Sequence, residues 1–388
     1  MKKIPRTVLL LGLVSFFNDF SSEMVYPLLP VFLSSLLGAG LVALGLIEGV
    51  AEATASLLKV VSGLWTDAVK KRKPLIVSGY GLAGLVRPLI GIARSWPFVF
   101  ALRFFDRVGK GLRTSPRDAL IADVTPPEQR GTAYGFHRAM DHTGAVVGPL
   151  VAALLLMIPG FGLRKIFLLT AIPGVIALLI LLLGLKEDKK DFTTEPVQPF
   201  NLSTGWRRLT PNFKFFLLVL FLFALGNSTD AFLILRLSKA GVTASGIALL
   251  WSLHHLFKSF STYWGGRFSD KIGPRPMILI GWIFYAAVYL AFAVFQSPTA
   301  LITIFLAYGV YFGLVEPAER ALVSRLVPPE LRGTGFGFYH FVVGIAAFPA
   351  SLIFGLVWQQ WGAASAFLMG ASLAFAASVL LFLRPIRV

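Results

Sequence analysis

Acidic side chains within apolar segments are the first residues in this sequence that could do chemistry. Asp19 and Glu23 are four residues apart in a long apolar run, so on a helix they share a face. An ionised group at the centre of a membrane helix costs about 2.5–3.5 kcal/mol. A carboxylate there must pair with a cation, face water, or bind and release protons. We therefore consider two interpretations of Glu23: a proton-coupling group, or one member of a permanent ion pair with a neighbouring helix.

Further charges in the N-terminal half follow the same logic. Glu52 and Lys59 lie in the second apolar segment, too far apart along a helix to pair directly. Arg87, in the third segment, is a candidate counter-ion for an acid of the second segment. In the fourth segment a cluster of charges falls on one helical face, and a guanidinium next to a carboxylate can control its protonation. The members of that cluster that we assign to a proton or substrate path are Arg103, Asp106 and Arg107.

The C-terminal half has fewer charges within its apolar segments. Asp230 and Lys258 are the right distance apart in sequence to lie on adjacent helices, and we predict that they form an ion pair. His255 falls at the position that corresponds to Glu52, and Asp230 at the position that corresponds to Glu23. Because the N-terminal half holds more carboxylates, we expect coupling ions to use that half and substrate selectivity to draw on both halves.

One segment carries two histidines and an acid close together. His137, Asp141 and His142 could form a proton relay, since histidine titrates in the physiological range. They could equally supply a gate hydrogen bond, or weak ligands for a metal ion, which needs several convergent donors. All three interpretations stay open at this point.

The composition indicates which elements hold these side chains. Of the 388 residues 56% are hydrophobic and 14% are charged, with a mean hydropathy of +0.75, whereas about a quarter of residues are charged in a soluble protein. Apolar runs of transmembrane length recur along the whole chain, and the alternating segments of a membrane barrel are absent. We predict an all-α membrane protein with twelve transmembrane helices, the first of which is retained rather than cleaved as a signal peptide.

The charge distribution predicts the orientation of these helices. The formal charge is +17, and roughly two dozen of the 36 Lys and Arg residues fall at the termini and in alternate loops. This is the positive-inside asymmetry. We therefore expect both termini in the cytoplasm, a cytoplasmic-membrane location and attraction to anionic lipid rather than to nucleic acid. The chain has no cysteine, which excludes disulfides and thiolate metal sites.

A charged phrase occurs twice. PPEQRGTAYGF starts at Pro126 and PPELRGTGFGF at Pro328, with eight of eleven letters identical. A second pair, Gly63-Leu-Trp-Thr-Asp67 and Gly266-Arg-Phe-Ser-Asp270, repeats at nearly the same offset, each followed by basic residues. Repeats in the same order predict two pseudo-symmetric six-helix bundles. We place them at residues 1–186 and 213–388, joined by a polar cytoplasmic linker at 187–212.

These repeats resemble the loop signature of the major facilitator superfamily, Gly-x-x-x-Asp followed by basic residues. The resemblance implies that each Asp belongs to a cytoplasmic gate that closes one conformation and opens in the other, with the Pro-Pro-Glu-x-Arg-Gly phrases as its charged partners. The gate residues expected on this basis are Gly63, Asp67, Lys71, Arg72, Arg130, Gly266, Asp270, Arg275 and Arg332.

A further stretch is similar to the fifth-helix motif of antiporters in that superfamily. It reads Gly144-Ala-Val-Val-Gly148-Pro149. Glycines with this spacing let helices pack backbone to backbone, and proline can bend the helix. The resemblance implies export, as does the likeness of the segment around Glu23 to the first helix of multidrug/proton antiporters.

Taken together, the sequence predicts a secondary transporter that moves a small molecule by alternating access, most specifically a proton-coupled antiporter. The alternative is a symporter or uniporter that imports an anionic metabolite, a metal or a metal chelate, and sodium is an alternative coupling ion. We expect no cofactor, and one chain suffices because both bundles are present. The sequence has no Gly-x-x-x-x-Gly-Lys-Ser/Thr loop and no hydrolase or metalloprotease motif, which argues against a nucleotide-driven pump or an enzyme.

Overall fold

The computed structural model describes residues 4–29, 32–38, 41–69, 71–185, 202–242 and 244–384. Over these residues the chain is helical, with short connections. We number its membrane helices α1 to α12. The first six are α1 Arg6–Val25, α2 Leu41–Val69, α3 Lys73–Leu89, α4 Trp96–Val124, α5 Arg130–Leu156 and α6, which consists of Leu163–Leu169 and Ala171–Leu179.

The second set repeats this order after a short linker helix, Leu202–Arg208. It comprises α7, which consists of Pro211–Gly226 and Ala231–Lys239, then α8 Ala244–Ile272, α9 Pro274–Val294 and α10 Pro298–Leu326. The last helical stretch, Arg332–Leu383, is two helices in sequence, because Gly362 has the positive φ of 85° that breaks a helix. We number its two parts α11 (332–361) and α12 (363–383).

The fold is the predicted one: all-α, with twelve membrane helices in two pseudo-symmetric bundles. Among the described residues, seven segments are long and apolar enough by composition alone to cross a membrane. Large apolar side chains remain exposed along the described helices, for example Leu85, Leu183, Leu218 and Phe260. Such exposure fits a hydrocarbon solvent, in which apolar side chains gain nothing from being covered.

By contacts the chain divides into two compact units. The first unit holds Met1–Thr125, Met140–Arg207 and Pro329–His340, and the second holds Pro126–Ala139, Arg208–Pro328 and Phe341–Val388. Each unit therefore includes the beginning of one helix, α5 or α11, whose remainder belongs to the other unit. The predicted bundle boundaries stay a proposal, and most of the predicted linker, residues 187–201, lies outside the described residues.

Each unit has its own apolar core. In the first unit, Phe32 and Phe167 meet edge to face at 5.0 Å within a buried cluster that includes Val86, Ile90 and Val99. In the second unit the core is aromatic: Phe223 stacks on Trp282 at 4.5 Å. Packing of this kind, rather than expulsion of water, holds helices together in a membrane.

Candidate functional site

Arg87 is the centre of a buried polar network in the first unit. Its Nε lies 2.8 Å from Asp106 Oδ1, and one guanidinium NH donates to the backbone carbonyl and side-chain oxygen of Asn18 at 2.7 and 3.0 Å. Arg103 lies 3.3 Å from the other oxygen of Asp106. The side chains of the three charged residues are at most 5% exposed. The network therefore joins α1, α3 and α4 through charge-assisted hydrogen bonds.

The partner of Arg87 differs from the sequence prediction. We expected one of the acids of the second helix, whereas the structure gives Asp106 of α4. The reason is the close approach of α3 and α4: a Cβ on Gly79 would lie 2.5 Å from the Gly109 carbonyl oxygen. This contact fixes the register of the two helices, and the long arginine side chain points back along α3 toward the level of Asp106.

Glu23 lies half-buried on α1, where α5 packs against it. A Cβ on Gly148 would lie 2.6 Å from the Phe20 carbonyl oxygen and 3.2 Å from the Glu23 Cβ, and one on Gly144 would lie 2.3 Å from the Phe16 carbonyl oxygen. The glycines of the predicted antiporter motif thus press directly on the turns of α1 that carry Asp19 and Glu23. Pro149 follows inside α5, which continues as a helix to Leu156.

The Glu23 carboxylate makes no hydrogen bond or ion pair with any residue that the structure describes. Its electrostatic neighbours are Asp19, Arg107, Arg87 and Lys110. Arg107 also acts electrostatically on Glu52 and Asp106. The predicted first-unit path residues therefore lie within one another's electrostatic reach.

Two other predicted groups in the first unit make local contacts. Glu52 meets Lys110 at 3.8 Å with both side chains at least one-third exposed, so this pair is screened and weak. Asp141 accepts a hydrogen bond from Ser15 Oγ of α1.

The proposed metal ligands do not form a metal centre. Within the described ranges, no group of three or more His, Asp or Glu side chains could hold a metal ion. His137, Asp141 and His142 follow one another along α5 and are all buried, but they are not joined by further acids or histidines into a ligand set.

In the second unit, the functional candidates surround a break in α7. The helix stops at Gly226 and resumes at Ala231, which frees backbone groups that need partners. Tyr285 of α9 donates to the Gly226 carbonyl oxygen at 3.1 Å, and Tyr289 shares a hydrogen bond with Ser228. Interrupted helices of this kind form binding sites in secondary transporters.

Asp230 lies in this break and forms the predicted ion pair. Lys258 Nζ of α8 is 3.6 Å from Asp230 Oδ2, and the Tyr308 hydroxyl of α10 donates to Oδ1 at 3.1 Å. The Lys258 ammonium also lies 3.6 Å from the centre of the Phe312 ring and 5.7 Å from that of Trp251. His255 is next to this group, with its ring 5.2 Å from Trp251.

The two repeated aspartates accept hydrogen bonds from helix N-termini. Asp67, at the end of α2, accepts from the backbone N–H groups of Gly333 and Thr334 at 3.0 and 2.6 Å. Asp270, at the end of α8, accepts from those of Gly131 and Thr132, both at 2.7 Å. We call these contacts the Asp67 cap and the Asp270 cap. Each supplies a negative charge to the start of α11 or α5, where free N–H groups and the helix dipole favour it.

Glycines make the caps possible. A Cβ on Gly63 would lie 2.1 Å from the Gly333 carbonyl oxygen, and one on Gly266 would lie 2.2 Å from the Gly131 carbonyl oxygen. Any larger residue at Gly63 or Gly266 would clash with the facing backbone and force the paired helices apart.

The contacts of the aspartates differ in part from the prediction. Asp67 pairs with Arg72, a basic residue of the predicted gate. The contact with each repeated phrase, however, is made by the backbone of the two residues after its arginine rather than by charged side chains. Of those arginines, Arg130 donates to the Ser324 carbonyl oxygen at 3.0 Å and Arg332 pairs with Asp123 at 2.6 Å.

The Asp67 cap has a network of ion pairs around it. Arg72 contacts Asp67 at 2.5 Å and Asp123 at 3.3 Å, and Asp123 contacts Arg332 at 2.6 Å. Since Arg332 precedes Gly333, the contacts form a closed ring.

Two of the predicted basic gate residues have other positions. Arg275 donates to the carbonyl oxygens of Leu381 and Phe382, both at 2.9 Å, and so caps the end of α12. Lys73, the residue after Arg72, donates to the Leu185 carbonyl oxygen beyond α6. Arg275 and Lys73 therefore bind carbonyl groups near helix C-termini. The Lys71 side chain is exposed.

Sequence reasoning missed two polar contacts next to the caps, one buried and one partly buried. His340 Nε2 of α11 lies 2.8 Å from Asp118 Oδ2 of α4. Arg138 of α5 binds Glu316 of α10 through two hydrogen bonds of 2.7 and 2.8 Å. The sequence carried one signal for these contacts: Arg138 and His340 each lie eight residues after the arginine of a repeated Arg-Gly-Thr.

The linker helix contacts the Asp67 cap. The Trp206 ring meets the Phe338 ring edge to face at 5.1 Å. A Cβ on Gly205 would lie 2.6 Å from a Leu64 methyl carbon and 3.4 Å from the Thr334 methyl group. The residue whose N–H binds Asp67 therefore also packs against the linker helix.

Comparison with known proteins identifies the family. The profile of the Major Facilitator Superfamily matches residues 11–348 and 231–388. The MFS-type transporter MJ1317 of Methanocaldococcus jannaschii is 33% identical, covering 98% of this chain and 95% of its own length. The multi-drug resistance efflux pump PmrA of Streptococcus pneumoniae is 25% identical over 81% of this chain and 79% of its own.

The crystal structure of the Escherichia coli fucose:proton symporter FucP has a TM-score of 0.78 at 15% identity, covering 97% and 98% of the two chains, and this likeness concerns the fold alone. The chain is a transporter rather than an enzyme, and it belongs to the major facilitator superfamily.

Proposed function

We propose that this protein exports a small molecule across the cytoplasmic membrane in exchange for protons, with Glu23 in the proton path. The observation that carries this proposal is the position of Glu23: half-buried in α1, without an ion pair to any described residue, and packed against the glycines of α5. A carboxylate in such a place can exchange a proton without first breaking an ion pair. Asp19, Glu52 and Asp106 are alternative proton sites, of which Asp106 is held by two arginines.

Direction and coupling are supported by resemblance and by geometry together. The Gly144–Gly148 motif packs on the two turns of α1 that carry Asp19 and Glu23. A proton gained or lost at Glu23 would therefore change the charge next to the α1–α5 contact, and a shift of that contact would couple protonation to conformation. The efflux pump PmrA is a relative, which supports export. The symporter FucP shares the fold, so the fold alone does not decide the direction.

In this mechanism the Asp67 and Asp270 caps are gates at the cytoplasmic ends of α2 and α8. Both caps are closed in this structure, since each aspartate accepts its backbone N–H groups. We infer that they break when the transporter opens to the cytoplasm, that both termini lie on this side, and that a single chain is sufficient.

The test uses purified protein in sealed liposomes with a pH-sensitive dye inside. A proton gradient is imposed and candidate cationic, neutral and anionic substrates are added to wild type, Glu23→Gln and the control Glu195→Gln, which changes an acid of the predicted linker. We expect substrate-triggered proton movement in wild type and in the control, and its loss in Glu23→Gln. Flux that ignores the gradient would contradict proton coupling. Coupling that survives in Glu23→Gln would move the proton site to another acid.

A further inference from the structure

The broken helix of the second unit presents a carboxylate surrounded by aromatic rings. Asp230 lies between the two segments of α7, and each carboxylate oxygen has one partner among the described residues: the Tyr308 hydroxyl on Oδ1 and Lys258 on Oδ2. A carboxylate can accept about four hydrogen bonds. Asp230 therefore retains acceptor capacity while its side chain is 24% exposed.

Lys258 occupies a cation site. Its ammonium group contacts the carboxylate of Asp230 and lies over the Phe312 ring at 3.6 Å, with the Trp251 ring at 5.7 Å. A carboxylate together with aromatic faces is the arrangement that attracts organic cations. The side chain of Lys258 thus fills, from within the protein, a place that suits a cationic ligand.

Exposure decides which charge a ligand meets first. Asp230 is 24% exposed, whereas Lys258 is 6% exposed and covered by the Phe312 ring. An approaching cation meets the carboxylate directly, and needs only to displace Lys258. An approaching anion meets the like charge of Asp230 and must displace it before it reaches the ammonium.

The other acids near this place are already bound. Glu316, which acts electrostatically on Lys258, holds Arg138 through two hydrogen bonds. Glu319 is 5% exposed and accepts a hydrogen bond from Trp282. Among the described acids of this cluster, Asp230 is therefore the one best placed to receive a ligand.

We propose that the substrate is an organic cation with an apolar, ring-bearing body, and that its positive group replaces Lys258 at the Asp230 carboxylate. The rings of Trp251, Phe312 and Tyr308 would contact the body of the ligand. Lys258 is then a tethered competitor, which holds the carboxylate when the site is empty and keeps the affinity low enough for release. This inference rests on the proposed transport function and names its substrate class.

The test compares two probes of the same shape and opposite charge, tetraphenylphosphonium and tetraphenylborate. Equilibrium binding is measured on the purified full-length protein in detergent, for wild type, Asp230→Asn and Lys258→Met. We expect Asp230→Asn to weaken phosphonium binding more than tenfold. Lys258→Met should strengthen it severalfold, since the competitor is gone, and wild type should prefer phosphonium to borate.

Charge-conserving variants show whether a loss of binding comes from the lost charge or from misfolding. Asp230→Glu and Lys258→Arg should keep phosphonium binding within a few-fold of wild type, and thermal unfolding midpoints verify that each variant is folded. If Asp230→Asn or Lys258→Met fails to fold, the comparison uses wild type and Lys258→Arg, and borate binding as tight as phosphonium binding, or tighter, in both proteins overturns the proposal. The proposal is also overturned if wild type binds no phosphonium at millimolar concentration, or if folded Asp230→Asn binds phosphonium as tightly as wild type.

The binding test is independent of the transport test. Phosphonium binding needs no gradient, so cation binding accompanied by gradient-independent flux would contradict proton exchange and leave the substrate class standing. Proton-coupled flux of anions alone, without phosphonium binding, would support coupling and overturn the substrate class.

Discussion

The Asp67 cap and the Asp270 cap make the same backbone contact but differ in the charges around it. Both aspartates accept two N–H groups at a helix start. Around Asp67, a ring of ion pairs through Arg72, Asp123 and Arg332 adds to that contact. Around Asp270, the third donor is the Thr132 hydroxyl. The two repeats therefore share the hydrogen bonds that cap a helix, whereas the surrounding ion pairs are found at the first cap.

One position accounts for much of this difference. Asp123 comes three residues before the first Pro-Pro-Glu phrase, and the matching residue before the second phrase is Arg325. Arg325 donates to the Pro127 carbonyl oxygen at 3.1 Å and brings a positive charge where the first repeat has a negative one. The second cap therefore lacks the carboxylate that bridges two arginines in the first. We infer that the Asp67 cap is the stronger of the two.

The largest effect is expected from Asp67→Asn. The substitution removes the charge that pairs with Arg72 and accepts two N–H groups, and breaking one side of a buried ion pair costs about 3–5 kcal/mol. We expect transport in proteoliposomes to fall at least tenfold, with the Asp67 cap closed for less of the time. Because the chain has no cysteine, a single cysteine introduced at Thr66, a buried residue that packs against Gly333, can report opening of the cap through its labelling rate with a water-soluble maleimide. An unchanged labelling rate would contradict the gate assignment.

A smaller effect is expected from Asp270→Asn, which is the matched variant. It loses charge assistance in hydrogen bonds worth about 1.5–3 kcal/mol, but breaks no ion pair with Arg275, which is bound to the end of α12. Arg325 acts on Asp270 electrostatically. Transport should fall by less than in Asp67→Asn under the same conditions. Equal losses in the two variants would show that the ring of ion pairs adds nothing to the first cap.

The difference between the Asp67 cap and the Asp270 cap should become smaller when Asp123 is changed. Asp123→Asn should leave both N–H contacts of Asp67 in place while weakening the links to Arg72 and Arg332, at a cost of about 1–3 kcal/mol. We expect the maleimide labelling rate of this variant to fall between those of wild type and Asp67→Asn. In the Asp67→Asn background, Asp123→Asn should have little further effect, since coupled residues are not additive.

The smallest effect is expected at the helix ends. Lys73→Gln and Arg275→Gln remove the cations that bind the last carbonyl groups of α6 and α12. Favourable charge at a helix C-terminus is worth about 0.3–1 kcal/mol. Thermal unfolding midpoints should fall by a few degrees or less in both variants, with transport almost unchanged. A severe transport defect in Arg275→Gln alone would restore the role in the gate that the sequence suggested for it.

The sequence was sufficient for the fold and for the positions of the caps. Helix number followed from apolar runs of transmembrane length, and glycines at Gly63 and Gly266 predicted close approach. The Asp230–Lys258 pair was also predictable, since two opposite charges within apolar helices need partners. These features depend on residue type and spacing, which a sequence displays directly.

Other features depend on helix register and helix starts, which a sequence displays poorly. The donors of the caps are backbone N–H groups of Gly333 and Gly131, and they become donors only because α11 and α5 begin one residue earlier. Arg87 reaches Asp106 because α3 and α4 meet at Gly79 and Gly109. The surroundings of Glu23 likewise depend on where the charged residues of α4 point, which spacing alone does not fix.

The exchange of helix beginnings between the two units has a consequence for biogenesis. The first unit includes Pro329–His340, and Thr334 binds Asp67 across a separation of 267 residues. During synthesis, α1 to α6 are inserted long before that segment emerges from the ribosome. The Asp67 carboxylate therefore cannot form these hydrogen bonds until the start of α11 has been synthesised. Contacts of such sequence separation form late and slowly. Truncation before Pro329 should therefore leave even the N-terminal bundle incomplete, and a separately expressed C-terminal half should be able to complete it.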